Sequence, residues 1–459
     1  MQFTEEHDMF RQTVRSFVEN EMNPHVEDWE EAGTFPAHEV FARMSELGLL
    51  GLEYDPAYGG QGADHSYTVV LGEELGRMHC GGVPMAISVQ TDMATPSLHR
   101  FGSEELKQEY LVPALTGTHV AAIAVTEPDA GSDVAAIRTR AVRDGDEWVI
   151  NGTKLYITNG TQADWLCLLC RTGDESGYLG MSQILVPTDV DGFRVSKKLD
   201  KLGQRSSDTA ELVFDDLRVP AANLIGAEGK GFQQQMMQFQ NERMIANYLS
   251  VGSMEVALER TVEYLRERKV FDQPLADFQH IQFELADLYA DLDMVRHYNY
   301  ACCDAYLRGD DTTYFATVAK LKAARVARRV ADTCLQFHGG VGYMEETWTA
   351  RYFRDARLWS IGGGADEVML RTIAKMKGIG SCAARRSSGA EVRPSTPRVR
   401  VTCRLGSNSC ERPGRSSASP PIPVSITLAG RVTRWTSPWG TSTRCPPRGC
   451  VGPRPRASS

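Results

Sequence analysis

The feature that most restricts the fold is a change of sequence pattern in the middle of the chain. Between residues 119 and 226, short segments rich in Val, Ile, Tyr and Thr are separated by the dipeptides Asp144-Gly145, Asn151-Gly152 and Asn159-Gly160. Asx-Gly dipeptides at this spacing are typical of β-hairpins. On both sides of this region, apolar residues recur at helical spacing, as in the stripe Leu285, Leu288, Leu292 and Val295.

The order of helical, strand-like and helical regions predicts an α+β fold with segregated elements. We expect an N-terminal helical domain over residues 1–118, a small β-domain over 119–226 and a C-terminal helical domain over 227–380. No G-x-G-x-x-G sequence stands between a predicted strand and a predicted helix, which argues against a Rossmann dinucleotide site.

Residues 381–459 differ in composition from the rest of the chain. They hold 14 Arg and 2 Glu, no Lys and no Asp, and 11 of the 21 prolines. We expect this tail to be disordered, because it shows no periodicity and offers too little apolar surface to offset chain entropy. Its composition is typical of GC-rich DNA read out of frame, an interpretation that we prefer to a basic arm for an acidic partner.

The charge and the cysteines of residues 1–380 exclude several classes of protein. Their net charge of -21 argues against nucleic-acid binding. No apolar run reaches the roughly 18 residues of a membrane span, and the acidic N-terminus has no apolar segment of a secretory signal. We interpret Cys167-x-x-Cys170, in an apolar strand-like run without a second pair, as core packing. The expectation is a cytoplasmic protein without a metal site.

Two segments of the β-region could carry chemistry. Thr126-Glu-Pro-Asp-Ala-Gly-Ser-Asp133 follows a predicted strand and makes a tight turn with hydroxyls beside backbone N–H groups, which suits a polar heterocycle or a phosphate. Tyr156 and Thr158 share one face of a strand, because side chains alternate. Spacing alone favours the plainer interpretations of these two segments, an ordinary turn for the first and the end of a surface hairpin for the second.

Taken together and in order, six stretches of residues 1–380 resemble the acyl-CoA dehydrogenase family of flavoenzymes. The stretches are Leu47-Gly-Leu-Leu-Gly-Leu with Tyr58-Gly-Gly-Gln-Gly62, Val125–Asp133, Asn151-Gly-Thr-Lys with Ile157-Thr-Asn-Gly160, Lys201-Leu-Gly-Gln-Arg-Ser with Val219-Pro220, Arg266-Glu-Arg-Lys-Val-Phe271, and Gln336-Phe-His-Gly-Gly-Val-Gly-Tyr343. The resemblance implies that the middle domain is barrel-like or sandwich-like and that the C-terminal domain is a four-helix bundle. It does not extend into the tail.

The resemblance also implies a site for FAD. Residues Ile123–Ser132 would line the flavin, including Ile123, Val125 and Thr126, and Ser132 would also lie near the CoA portion of the substrate. Three residues would contact the isoalloxazine ring, namely Tyr156, Ile157 and Thr158. In a homotetramer, the FAD of a neighbouring subunit would be contacted by Arg268, Phe271, Gln279, Gln336, Gly339 and Gly340. The adenine side of the flavin would be approached by Ala365, Asp366 and Glu367.

The catalytic base departs from the pattern of most of the family. Many members carry a Glu in a Tyr-Glu-Gly-Thr stretch near the C-terminus, and the matching position here is Gly363. A smaller group, typified by isovaleryl-CoA and long-chain acyl-CoA dehydrogenases, carries the base on an earlier helix, directly before a substrate-binding Arg. The matching residues are Glu242 and Arg243. A solvated Glu–Arg pair on a helix is the alternative that spacing alone favours.

The activity implied by the resemblance is oxidation of an acyl-CoA to a trans-2-enoyl-CoA, in the degradation of fatty acids, branched-chain amino acids or other branched acyl groups. Glu242 would remove the α-proton, the N–H of Gly363 would contact the thioester oxygen, and the β-hydride would pass to N5 of FAD. An electron-transferring flavoprotein would accept the electrons. The alternatives are an acyl-CoA oxidase, an acyl dehydrogenase acting on a carrier protein, and a non-catalytic CoA-binding paralogue.

Overall fold

The N-terminal region is helical, as predicted. The computed structural model describes residues 1–175 and 177–379, so the expectation of a disordered tail lies outside the described residues. The helices are α1 (Glu5–Phe17), α2 (Val26–Ala32), α3 (Ala37–Glu46), α4 (His65–Leu75), α5 (Gly82–Ser88), α6 (Thr95–Phe101), α7 (Glu104–Leu106) and α8 (Val112–Leu115). Three π-helical turns, Val18–Met22, Val89–Ala94 and Lys107–Leu111, and two 3-10 turns, Asn23–His25 and Pro56–Tyr58, join some of them.

The middle region forms one mixed sheet of eight strands. The strands are β1 (Ala121–Ala124), β2 (Arg140–Asp144), β3 (Glu147–Thr158), β4 (Trp165–Arg171), β5 (Met181–Pro187), β6 (Phe193–Lys198), β7 (Thr209–Pro220) and β8 (Leu224–Ile225). Their order is β6-β7-β3-β2-β4-β5-β8, and β1 pairs with β4 in parallel. The 3-10 turns Val134–Ala136 and Ala221–Asn223 lie in the connections.

The two faces of this sheet have different partners. Side chains from β1 to β7 on one face, among them Trp148 and Leu166, pack into a single cluster, as they do when a sheet curls on itself. On the other face, Trp165 and Cys167 pack with residues of α6 and α8. Cys170 points into the inner cluster, so the two cysteines lie on opposite faces. Burial raises the pKa of both thiols, which fits core packing.

The three Asx-Gly dipeptides have three different structural roles. Asp144-Gly145 forms the predicted hairpin, with Asp144 opposite Glu147 and a positive φ of 62° at Gly145. The prediction of hairpin turns at the other two is wrong. Asn151-Gly152 lies inside β3 at a bulge. A Cβ on Gly152 would come within 2.5 Å of Oγ1 of Thr139, the residue directly before β2. Asn159-Gly160 ends β3, and the chain then crosses to β4, which does not pair with β3.

The C-terminal region is again helical. Its elements are α9 (Gly231–Glu267), β9 (Lys269–Val270), β10 (Gln273–Pro274), α10 (Gln279–Leu307), α11 (Thr313–His338), α12 (Trp348–Ala356) and α13 (Asp366–Met376), with 3-10 turns at Leu275–Asp277, Val341–Tyr343 and Arg357–Ser360. The long helices α9, α10 and α11 pack together as a bundle. The two short helices α12 and α13 pack against α11, in place of the single fourth helix of the predicted four-helix bundle. The leucines of the predicted stripe on α10 are buried, and α9 shares a core with α4.

Candidate active site

The turn after β1 is held from beneath by a buried ion pair. Lys154, on β3 and fully buried, donates from Nζ to the carbonyl of Val125 (2.8 Å) and to Glu127 Oε1 (2.9 Å). Glu127 also accepts hydrogen bonds from the N–H groups of Arg138 and Thr139. Burial would raise the pKa of Glu127, but the charge of Lys154 and these donors lower it below its usual value. The carboxylate therefore closes the loop into a fixed turn.

Tyr156 presents an aromatic ring beside this turn. It lies at a bulge of β3 with a φ of 63°, and its side chain is 66% exposed, whereas Ile157 is buried beneath the strand. The N–H of Leu155 donates to the carbonyl of Thr126 (2.8 Å), which ties β3 to the turn. An exposed ring held next to hydroxyls and a rigid backbone turn fits a flat, polar heterocycle such as the isoalloxazine of FAD.

The structure brings most of the predicted flavin-contacting residues together at this place. Ile123 and Val125 lead into the turn, Thr126 and the exposed Ser132 lie on it, and Thr158 follows the ring of Tyr156 along β3. The roles of the individual residues remain predictions.

The residues predicted to contact a neighbouring subunit's flavin form a second group, away from the turn. The rings of Tyr264, near the end of α9, and His338, at the end of α11, stack with centroids 4.2 Å apart. This contact brings the two helix ends together and, with them, the exposed residues Arg268, Phe271, Gln279, Gln336, Gly339 and Gly340. Phe271 is 91% exposed, and a Cβ on Gly339 or Gly340 would meet open space. The group is available for an external contact.

Glu242 is buried in the interior and is not a solvated helix residue. It lies on α9 with 7% of its surface exposed, and Oε1 accepts from the side-chain amides of Gln235 (3.3 Å) and Gln238 (3.4 Å). Within the described residues, it forms no ion pair with Arg243. Burial raises the pKa of Glu242 to about 8, the charge of Asp92 adds to this rise, and Arg243 opposes it. The surface ion-pair interpretation of Glu242 and Arg243 is therefore wrong.

Arg243 lies beside the glycine turn that precedes α13. A Cβ on Gly364 would lie 3.9 Å from a terminal nitrogen of Arg243. Gly363 has a φ of 62°, and a Cβ built on it would meet nothing within 4 Å. The turn therefore has open space at Gly363, where the side chain that the family pattern places is absent.

The start of α13 is tied to α11 by charged groups. Asp366 is buried and accepts from Arg325 Nε (3.2 Å), whereas Ala365 is half-buried and Glu367 is exposed. Lys320, also on α11 and 3% exposed, donates from Nζ to the carbonyl of Gly364. Burial lowers the pKa of Lys320 to about 8. The predicted contact of Ala365, Asp366 and Glu367 with the adenine side of the flavin stays a prediction.

Sequence reasoning missed two charged groups, one near Glu242 and one near Arg243. Asp92, on the π-helical turn Val89–Ala94, accepts from its neighbour Thr91 (2.6 Å), and burial raises its pKa to about 7. It lines a cavity with apolar residues and Glu53, which is itself hydrogen-bonded to His65 (2.6 Å). Lys320 is the other. Each is a single charged residue within an otherwise helical pattern, so no signal in the sequence distinguishes it from a surface residue.

Comparisons with known proteins cover the same residues. The N-terminal, middle and C-terminal domain models of acyl-CoA dehydrogenase match residues 4–118, 122–217 and 229–377. The Bacillus subtilis protein named "Probable acyl-CoA dehydrogenase YngJ" is 38% identical over 82% of this chain and 98% of its own.

Two further proteins are similar over the same part of the chain. The rat mitochondrial long-chain specific acyl-CoA dehydrogenase is 36% identical over 81% of this chain and 86% of its own length. The crystal structure of an acyl-CoA dehydrogenase from Geobacillus kaustophilus is 39% identical and has a TM-score of 0.79, covering 82% of this chain and 98% of its own. Among the described residues, no helix is long and apolar enough to cross a membrane.

Proposed function

This chain belongs to the acyl-CoA dehydrogenase family, and we propose on that basis that it oxidises an acyl-CoA to its trans-2-enoyl-CoA with Glu242 as the catalytic base. It is an FAD-dependent oxidoreductase, as members of this family are. The observation that carries the assignment of the base is the burial of Glu242 on α9, directly before Arg243, which lies next to the glycine turn where Gly363 has no side chain.

The raised pKa of Glu242 suits it to removing a weakly acidic proton. An α-proton of a thioester is much less acidic than an ordinary carboxylic acid, and a base transfers it more readily when its own pKa is higher. Burial raises the pKa of Glu242 to about 8, so roughly a tenth of the carboxyl groups are ionised at pH 7. Gln235 and Gln238 donate to the same oxygen, Oε1, and so fix the orientation of the carboxyl group.

The thioester oxygen must be stabilised while the proton leaves. Among the residues that the structure describes, the N–H of Gly363 donates to no protein acceptor. It is available to a substrate oxygen, and a donor of this kind lowers the energy of the developing enolate. This N–H belongs to the backbone, so it is retained although the side chain at Gly363 is hydrogen.

Thr126, Ser132, Tyr156, Ile157 and Thr158 would hold FAD against the turn after β1. FAD, when bound there, supplies the acceptor for the hydride of the β-carbon. We infer that Arg243 and Ser132 contact the substrate and that Arg268 and the residues grouped with it belong to a neighbouring subunit's flavin site in a homotetramer. The physiological acceptor of the electrons is proposed to be an electron-transferring flavoprotein.

The proposed substrates are acyl-CoA thioesters with long or branched chains. Support comes from the candidate base Glu242 on α9, the location found in the long-chain and isovaleryl-CoA group that this chain resembles, and from the open space at Gly363. Anaerobic bleaching of the flavin with straight, 2-methyl, 3-methyl and long-chain acyl-CoAs would rank them. Fastest bleaching by butyryl-CoA would overturn this preference.

The assignment of the base is tested with Glu242→Gln. The variant is expected to keep its yellow flavin but to lose bleaching with any acyl-CoA, whereas Glu263→Gln, an exposed change on the same helix, keeps it. Gly363→Glu in the Glu242→Gln background is expected to return part of the activity. Full bleaching by Glu242→Gln would remove Glu242 from the mechanism, and peroxide formed in proportion to product would indicate an oxidase.

A further inference from the structure

Three consecutive glycines precede α13, and only their ends are held by main-chain hydrogen bonds. The N–H of Gly362 donates to the carbonyl of Leu358 (2.9 Å), and the carbonyl of Ala365 accepts from the first turn of α13. Between these anchors, Gly363 and Gly364 have φ values of 62° and 102°. Glycine gains no rigidity from a side chain, so this peptide needs another constraint to hold one conformation.

Lys320 supplies a contact in the middle of that stretch. Its Nζ crosses from α11 to donate to the carbonyl of Gly364, and the side chain is 3% exposed. Within the described residues it forms no ion pair. The hydrogen bond therefore joins the N-terminal half of the long helix α11 to the glycine-rich peptide before α13.

Packing alone does not account for a lysine at this position. Burying an amine removes it from water, and a methionine or leucine would fill similar space without that penalty. Burial lowers the pKa of Lys320 to about 8, the charges of Asp366 and Glu367 counteract this, and Arg243 adds to it. The cost of burying this amine indicates that Lys320 is needed as a hydrogen-bond donor, and its acceptor is the Gly364 carbonyl.

We propose that Lys320 is a positioning residue that clamps the Gly364 carbonyl and so holds the N–H of Gly363 toward the thioester oxygen of the substrate. This inference rests on the proposed function. The Gly363 N–H lies between two fixed points, the Gly362 N–H on Leu358 and the Gly364 carbonyl on Lys320. Loss of the second point lets the donor turn away from the substrate.

The role is tested with Lys320→Met, which keeps the length of the side chain and removes the donor, beside Lys320→Gln, which keeps a donor. Lys322→Met, an exposed change on the same helix, is the control. With a good acyl-CoA substrate, Lys320→Met is expected to lower kcat by roughly 10- to 100-fold with little change in KM, since a misaligned oxyanion donor acts mainly in the transition state. Lys320→Gln is expected to recover part of kcat.

A second measurement separates positioning from folding. Acetoacetyl-CoA carries an acidic α-carbon, and its conversion to the enolate on the protein is followed by absorbance as pH is raised. We expect Lys320→Met to need a higher pH for half-conversion than the wild type and Lys322→Met, because the Gly363 N–H stabilises the enolate oxygen less. A variant that loses only thermal stability, with kcat and enolate formation unchanged, would refute the clamp. A wild type that bleaches with no acyl-CoA would instead refute the proposed function.

Discussion

The substitution Glu242→Gln should stabilise the protein while removing its activity, and the gain should depend on pH. The folded-state pKa of Glu242 is about 8 against 4.5 for an exposed Glu. Below pH 4.5 the carboxyl group is protonated in both states and makes no difference to stability. As pH rises from 4.5 to 8, the unfolded chain ionises and the folded protein does not, so the wild type loses stability. A Gln, which does not titrate, is free of this loss.

The size of the effect follows from the difference in pKa. Each pH unit between the two values is worth about 1.4 kcal/mol, which gives roughly 3 kcal/mol at pH 7. Because Glu242 is buried, solvent screening reduces this little. For the nearly 400 residues that the structure describes, about 2 cal/mol/K of unfolding entropy per residue converts 3 kcal/mol to a rise in Tm of roughly 4 °C. At pH 5.5 the same reasoning gives about 1–2 °C.

The assay is a series of thermal scans from pH 5 to 8.5 at one scan rate and one saturating FAD concentration. The Tm of Glu242→Gln minus that of the wild type should grow with pH and level off above about pH 8. Glu263→Gln should show no such growth. A difference that is constant over this range, or one that falls with pH, would refute the raised pKa and with it the account of how Glu242 is tuned.

Two further changes test the groups around the site. Asp92→Asn removes a charge that raises the pKa of Glu242, so the rising limb of kcat/KM against pH should move to lower pH. An unchanged limb would show that the charge of Asp92 does not influence the pKa of Glu242. Lys154→Met leaves Glu127 buried without its cation, which we expect to cost about 3–5 kcal/mol and to loosen the turn after β1. In Lys154→Met, the ratio of flavin to protein absorbance after gel filtration should fall. In the double variant Lys154→Met/Glu127→Gln, this ratio should partly recover. Full flavin content in Lys154→Met alone would contradict the expectation.

Local sequence signals predicted those elements of the fold that depend on residues close together in the sequence. The change of period separates the helical regions from the sheet, and Asp144-Gly145 forms its hairpin. The same signal failed at Gly152, because a glycine that admits a neighbouring chain looks identical in sequence to a glycine that turns the chain. Close approach between strands is a tertiary property, so a single dipeptide cannot report it.

The candidate base shows the corresponding limit for the site. Spacing alone makes Glu242 a solvated member of a Glu–Arg pair, and the resemblance to a family was needed to single it out. Its carboxyl group accepts from Gln235 and Gln238 on its own helix, and the charge of Asp92 from the N-terminal region raises its pKa. Residues about 150 positions apart decide the environment of the carboxyl group, and no window of sequence contains both.

The location of the base on α9 has a physical consequence for the rest of the site. A carboxyl group on a long packed helix is held by the helix itself, whereas one on the turn before α13 would be held only as well as that turn. With hydrogen as its side chain, Gly363 can offer the substrate only its backbone N–H, and a glycine restricts the backbone less than a glutamate would. The buried amine of Lys320 compensates for that flexibility from α11. A glycine at this position therefore makes the turn depend on a constraint from outside it, and the hydrogen bond from Lys320 is that constraint.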